Sequence, residues 1–311
     1  MPPAPAAPPL IVLSGPTAAG KTALSLQLAL DLDAEIISAD SRQVYRGLDI
    51  GTAKASASER ARIPHHLLDV VEPFETYDVA RFVDDARAVA EKIRGRGRVP
   101  LVVGGTGLYL RALCRGLVPV AGRDDRLRAE LESFRRQHGN EMLHARLLQV
   151  DPEAAARLPA NDVVRVIRAL EVQVLTGRPL SAQQGEHGFS DHPFSVCWLV
   201  VDQPPPLLEK RIAQRARAMF DGGLVDEAVA LRARHGEIEV LRTLGYAEAL
   251  ALADGTLQRE AAIEQTRLRT RRYAKRQRTW LRRERVDAWL VAPDPAALRR
   301  AIKASEILNT G

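Results

Sequence analysis

Only two cysteines, Cys114 and Cys197, occur in the 311 residues, and neither has a histidine or cysteine neighbour at metal-ligand spacing. A disulfide framework and a cysteine-based zinc site are thereby excluded, and both thiols are expected as packing groups in a reducing cytoplasm. Long apolar runs are missing as well. Stretches such as Val196–Val201 span six residues, whereas a membrane-crossing helix needs about 20, so no membrane association is expected. The first nine residues alternate proline and alanine, without a basic start or an apolar centre. They read as a disordered tail over 1–9 and not as a secretory signal. No internal repeat recurs at a fixed period, which excludes a solenoid.

What is present is ordinary globular composition, 46 % hydrophobic and 27 % charged. Strand-like runs at Leu10–Leu13, Glu35–Ser38, His66–Val70 and Val99–Val103 alternate with helical patterns such as Arg81–Arg94. That alternation predicts a doubly wound parallel sheet. Between Gly122 and Gly177 the strand signal vanishes and helical periodicity takes over. A strand returns at Ser195–Asp202, and the remainder, Pro206–Leu290, reads as helical. The expected architecture is an α/β, P-loop NTPase-like parallel sheet core over 10–119 and 195–311. A helical insertion occupies 120–194, and the C-terminal region is helical and basic.

Three Gly- or Asp-bearing turns follow strands. The first, Gly15-Pro16-Thr17-Ala18-Ala19-Gly20-Lys21-Thr22, lies between a strand and a helix and satisfies the phosphate-loop, nucleotide-binding pattern in its required context. Its glycines let backbone amides converge on phosphate oxygens, Lys21 adds a charge and Thr22 offers a magnesium ligand. A nucleotide such as ATP and a simple diphosphate satisfy it equally. The second turn begins at Asp40, at the carboxyl end of its strand, where ligands of open parallel sheets bind. A carboxylate there serves as a base, a metal ligand or a turn cap. The third, Gly104-Gly105-Thr106-Gly107, follows Val99–Val103 at the same sheet edge.

The formal charge of +6 is unevenly spread: the helical stretch Glu264–Arg285 holds ten Lys or Arg against two Glu. Arg267, Arg271, Lys275, Arg278 and Arg282 step along one helical face, with Tyr273, Gln277 and Trp280 on another. Like charges at i, i+4 destabilise a helix by a few tenths of a kcal/mol, a cost that a nucleic-acid backbone offsets. Arg271, Lys275 and Arg278 are therefore candidate phosphate contacts.

These segments, with Pro64–Val70, Asn161-Asp162, Arg165–Val172, Leu244-Gly245-Tyr246 and Thr270–Trp280, resemble the tRNA dimethylallyltransferase family of bacterial type over nearly the whole chain. The resemblance implies transfer of a dimethylallyl group from dimethylallyl diphosphate to the exocyclic amine of adenine 37 of tRNA. The P-loop would hold the allylic diphosphate, Mg2+ would assist, and the insertion would grip the anticodon stem-loop. It further implies Asp40 as general base, Thr17–Thr22 as diphosphate cradle, and Thr106, Arg128 and Arg215 along the reaction channel, with Arg126 and Arg217 as neighbouring alternatives. Asp40, Ser41, Arg42 and Gln43, and Val164, Arg165, Val166, Ile167 and Arg168, would contact tRNA. Val164 stands where the family has glutamine, so that side-chain hydrogen bond is lost. A monomer is expected. The alternatives are an adenylate isopentenyltransferase, a P-loop small-molecule kinase and a non-catalytic RNA-binding module. The basic helix argues against the first two and the intact P-loop against the third.

Overall fold

The computed structural model describes residues 7–120, 122–187 and 191–308. Its strands are β1 (Pro9–Ser14), β2 (Ala34–Ala39), β3 (His65–His66), β4 (Val99–Gly104), β5 (Ser195–Asp202) and β6 (Ala288–Val291). All pair in parallel, in the order β3-β2-β4-β1-β5-β6. Leu10, Ile11, Val12 and Leu13 of β1 are fully buried, as unbroken apolar strands covered on both faces require. The helices α1 (Lys21–Asp31), α2 (Ala57–Arg62), α3 (Val79–Gly95) and α4 (Gly107–Arg115) follow the first strands. Ile11, Leu13, Leu101 and Leu199 of the sheet join Leu28 and Ala29 of α1 in one core.

Residues Arg115–Asp191 form a separate compact unit, set in sequence between Cys114 and His192. Its helices are α5 (Asp125–Val150), α6 (Pro152–Arg157), α7 (Val163–Thr176) and α8 (Leu180–His187). Leu131, Leu143 and Leu147 of α5, Ala154 and Ala155 of α6, and Val166, Ile167, Ala169 and Leu170 of α7 make its own core. After β5 the first unit continues with α9 (Pro205–Asp221), α10 (Leu224–His235), α11 (Tyr246–Ala253), α12 (Arg259–Leu281) and, after β6, α13 (Pro295–Ala304). Leu298 and Ile302 of α13 enter the sheet core beside Leu28.

Three expectations are corrected. The run His66–Val70 is a strand only at His65–His66, because Leu67 (φ 62°) and Asp69 (φ 56°) take left-handed conformations that end it. Lys54 and Arg60 both bind the Asp69 carboxylate. The stretch Pro206–Leu290 is not helical throughout, since Ala288–Val291 adds the edge strand β6 against β5. Its four residues are too few for the period-2 signal to stand out. Pro9 already belongs to β1, and the Pro8 carbonyl accepts the Ser195 N–H at 2.9 Å, so the tail ends earlier than residue 9; residues 1–6 lie outside the described ones.

Inside the helical unit one carboxylate organises the helices. Glu171 of α7 is fully buried and accepts the Arg128 guanidinium at 2.7 and 2.9 Å, the Asp124 N–H at 2.9 Å and Arg168 at 2.5 Å. Burial opposes its ionisation, but these donors outweigh that and hold its pKa down to about 2 from 4.5. A depressed carboxylate stabilises the fold above its ordinary pKa and loses that contribution as pH falls toward the folded value. Glu171→Ala is expected to destabilise the protein by about 3 kcal/mol, as loss of one partner of a buried pair does. Urea unfolding of the native chain should show a stability loss between pH 4.5 and 2 that Glu171→Ala lacks.

Candidate active site

Strand register brings the loops together. Gly104 of β4 pairs with both Ser14 of β1 and Ala39 of β2, so the three strands end at one level. The P-loop, the Asp40 turn and the Gly105–Thr106 turn leave from that line, and residues of the first two together with Gly105 border a cleft of about 980 Å³. Gly15 has φ 153°, and a Cβ there would sit 2.1 Å from the Val201 carbonyl oxygen of neighbouring β5. Gly20, at φ 98°, starts α1 in a left-handed conformation that aims the helix N-terminus at the loop.

Lys21 lies half-buried, its Nζ donating to the Gly15 and Pro16 carbonyls at 2.9 Å each. Burial and then the charge of Arg215 lower its pKa to about 8, against the opposing pull of Asp40. Arg215 of α9 donates to the Thr52 carbonyl at 3.3 Å, and burial lowers its pKa as well. Asp40 Oδ1 accepts the Arg42 N–H at 2.8 Å and the Gln43 N–H at 3.3 Å, which is the turn-capping role. Among the described residues no hydrogen bond reaches Oδ2, so the same carboxylate keeps one oxygen without a protein donor. The Thr106 hydroxyl accepts the Ser41 N–H at 3.1 Å. The cleft is lined by Lys21, Arg42, Arg211, Arg215, Arg242, Arg269, Arg272 and Arg276, with Asp40 as its one carboxylate. Such a site attracts a polyanion and places a single carboxylate within it.

The IPP transferase family model matches residues 43–284, and an isopentenyl transferase model matches residues 8–69. The chain belongs to the IPP transferase family. It is 51 % identical over 296 residues to a tRNA dimethylallyltransferase of Anaeromyxobacter dehalogenans, covering 94 % of this chain and 99 % of that one. A tRNA dimethylallyltransferase of Myxococcus xanthus is 47 % identical over 292 residues, 94 % and 95 % of the two chains. The crystal structure of the full-length tRNA isopentenylpyrophosphate transferase of Bacillus halodurans superposes with a TM-score of 0.68 at 37 % identity, covering 97 % of this chain and 99 % of that one. A eukaryotic dimethylallyltransferase solved acting on tRNA gives a TM-score of 0.82 at 29 % identity, covering 97 % and 80 %.

Within this IPP transferase the expected site residues divide. Thr17, Ala18, Gly20, Lys21 and Thr22 of the P-loop border the cleft with Asp40, Ser41, Arg42, Gln43 and Arg215, whereas Gly15, Pro16, Ala19 and Thr106 do not line it, and Arg217 is exposed and pairs with Glu260. Gln43 is engaged inside the protein: its Oε1 accepts the Ser38 hydroxyl at 3.0 Å and its Nε2 donates to Thr52 O at 3.2 Å. Arg128 is held by Glu171 in the helical unit, and Arg126 is exposed beside Glu130. Val166 and Ile167 are buried in the helical unit's core, and Arg168 is bonded to Glu171. Of that stretch, Val164 at 73 % exposure and Arg165 remain open to a partner.

Helix α12 presents two faces. Arg269, Arg272, Tyr273, Arg276 and Gln277, at spacings of three, one, three and one, line the cleft. Arg271, Lys275, Arg278 and Arg282 line a second groove, against Leu208 and Ile212 of α9. The scarcity of local acids does not leave every base without a partner, because carboxylates arrive from other elements. Asp202 of β5 binds Arg278 at 2.9 Å, Glu209 of α9 binds Arg267, and Glu248 of α11 binds Arg269. Among the described residues no carboxylate pairs with Arg271, Lys275 or Arg282. Glu227 of α10, which carried no local signal, accepts backbone N–H groups of Asp49, Ile50 and Gly51 and the Tyr246 hydroxyl, bracing the turn whose Thr52 carbonyl holds Arg215.

The depressed Lys21 pKa has a consequence for this IPP transferase. A bound anion favours the ammonium, so Lys21 contributes most to anion affinity below pH 8, and the contribution falls as pH rises through 8. In calorimetric titrations with inorganic diphosphate, the ratio of wild-type to Lys21→Met affinity should therefore decline across that pH, by up to about tenfold per unit.

Proposed function

We propose that the protein transfers the dimethylallyl group of dimethylallyl diphosphate to the exocyclic nitrogen of adenine 37 of tRNA. The observation that carries this reading is the Asp40 carboxylate, with Oδ2 free of hydrogen bonds, sharing one cation-lined cleft with the P-loop, Lys21 and Arg215. Family membership supports the acceptor. The adenine is extruded from the anticodon loop, at a cost of a few kcal/mol, to reach the cleft. Its nitrogen attacks C1 of the dimethylallyl group; the C–N bond forms as the C–O bond to diphosphate breaks, and the oxygen leaves with the electron pair. Asp40 takes the proton from the amine. P-loop amides, Lys21 and Arg215 meet the charge growing on the leaving group. Thr106 holds the Asp40 turn through the Ser41 N–H.

The donor set fits a magnesium ion carried on the diphosphate. Thr22 and Asp40 are among the side-chain oxygens that line the cleft, and among the described residues no group of three or more His, Cys, Asp or Glu forms a metal cage. Magnesium commonly takes one or two protein oxygens and completes its shell with phosphate and water. Bound there by Thr22 it would neutralise diphosphate charge.

The RNA is held by Ser41 and Arg42 beside the cleft, by Val164 and Arg165 on α7, and by Arg271 and Lys275 on the groove face of α12, which carry charge without reading bases. Among the described residues no helix is long and apolar enough to cross a membrane. A cytoplasmic monomer is part of the reading. Incubation with labelled dimethylallyl diphosphate or ATP, and with tRNA or AMP as acceptor, tests it: label should pass to tRNA from the allylic donor, while transfer to AMP or from ATP would establish one of the rival activities.

Asp40→Asn keeps the Oδ1 acceptor that caps the turn but cannot take a proton. Single-turnover transfer to saturating tRNA is expected to fall by about 10² to 10⁴, with tRNA affinity changed less than about threefold. A variant retaining more than about a tenth of the rate would remove Asp40 as base. Neutralising Arg271 and Lys275 together should weaken RNA binding and reduce the slope of log affinity against log salt by about two units. Adding Arg278→Gln should change it little further, because Asp202 already holds that guanidinium.

A further inference from the structure

Gln277 of α12 is nearly buried, at 8 % exposure, and uses both ends of its amide on the backbone of two different loops. Its Oε1 accepts the Thr17 N–H of the P-loop at 2.8 Å, and its Nε2 donates to the Gly105 carbonyl at 2.9 Å. The fit is close on the turn side. A Cβ on Gly105 would stand 2.3 Å from the Gln277 Nε2, and one on Gly107 would stand 2.4 Å from the Trp280 ring. Two glycines therefore let α12 seat directly on the Gly105–Gly107 turn.

That turn is bonded to both neighbours of Asp40. The Thr106 N–H donates to the Ala39 carbonyl at 3.3 Å, and the Thr106 hydroxyl accepts the Ser41 N–H at 3.1 Å. A continuous path thus runs from the P-loop through the Gln277 amide and the Gly105–Thr106 turn to the residues on either side of Asp40. We propose that Gln277 is a positioning residue for the transfer reaction, setting the separation between the diphosphate cradle and the carboxylate turn. The proposal rests on the function proposed above.

The chemistry of the reaction explains why such a strut matters. Nucleophile, allylic carbon and leaving oxygen must line up while the proton acceptor stays within reach of the amine, and a misplacement of about 1 Å costs on the order of 10² in rate. The cradle belongs to the loop after β1 and the carboxylate to the loop after β2, so strand pairing levels their bases but leaves their tips independent. One donor and one acceptor are needed to join an N–H on one loop to a carbonyl on the other. A neutral amide supplies both, whereas an ionised carboxylate supplies acceptors alone and an aliphatic chain neither. The bond to Gln277 also directs the Thr17 N–H to the helix, which sets the path of the loop into left-handed Ala18.

The test is Gln277→Met, which keeps the length of the side chain and removes both bonds, measured with Thr106→Val and the double variant. Inorganic diphosphate affinity of Gln277→Met should fall by about fivefold, the effect of one hydrogen bond. Single-turnover transfer at saturating substrates should fall by about 10-fold to 10²-fold, with tRNA affinity unchanged. The double variant should lose less than the product of the single losses, because both act on one turn. A packing role alone would lower the melting temperature, leave rate and diphosphate affinity within about twofold of wild type below the transition, and make the two losses multiply; any of these last results overturns the proposal. Should Gln277→Met not fold, Gln277→Glu keeps the volume and the acceptor for Thr17 and is expected to lose at least tenfold in rate, a smaller loss counting against the strut. If the wild-type protein proved to modify AMP and not tRNA, the reading of the acceptor would fail, and the same rate ratio read on AMP, with the diphosphate affinity, would decide the role of Gln277.

Discussion

Parallel pairing in register is the constraint on which the cleft depends. Gly104 sits opposite Ser14 on one side and Ala39 on the other, so three strands finish together and hand their chains to three loops along one edge. The pairing is tight there: a Cβ at Gly104 would stand 2.2 Å from the Ala39 carbonyl oxygen. A slip of one residue in β2 would turn Asp40 toward the other face of the sheet, because side chains alternate along a strand. The position of the Asp40 carboxylate relative to the P-loop is therefore a property of backbone hydrogen bonding, to which side-chain struts from α9, α10 and α12 are added.

Charge is the second organising fact. Eight cations surround one carboxylate; burial lowers the pKa values of both Lys21 and Arg215, and the neighbouring Arg215 charge lowers that of Lys21 further. The anionic substrate relieves the crowding, so the groups that are costly in the free protein are those that favour binding. Away from the cleft, Asp202 and Glu209 supply carboxylates to Arg278 and Arg267 of α12, and at the cleft Glu248 pairs with Arg269. The helix thus carries bases that face the cleft and bases paired with carboxylates, Arg269 being both, together with Arg271 and Lys275 on the groove, which Arg282 just past the helix end also lines.

Much of the cleft was readable residue by residue. The strand–loop–helix context of Gly15–Thr22 and the position of Asp40 after β2 are local patterns, and both segments border the cleft. What could not be read are the partners that come from far along the chain. Gln277 lies 260 residues from Thr17, and Glu227 lies 177 residues from the Ile50 N–H that it accepts. The spacing of Arg269, Arg272, Tyr273, Arg276 and Gln277 was a helical face open to inspection, yet nothing local distinguishes a face turned to a cleft from one turned to solvent. The two-residue strand β3 and the edge strand β6 are too short for periodicity to decide, and the left-handed residues Leu67 and Asp69 are neither glycine nor asparagine.

The amino-acid sequence by itself determined the parallel α/β class, the phosphate loop, the acidic turn after β2 and the basic character of α12, because each is written in the spacing of neighbours along one element. Tertiary structure alone decided which bases stay unpaired, which of Arg215 and Arg217 enters the cleft, that Val166 and Ile167 serve a core, and that a glutamine joins two loops. Those outcomes depend on what packs against each side chain, and burial, charge pairing and hydrogen-bond satisfaction are properties of the assembled neighbourhood that no single segment carries.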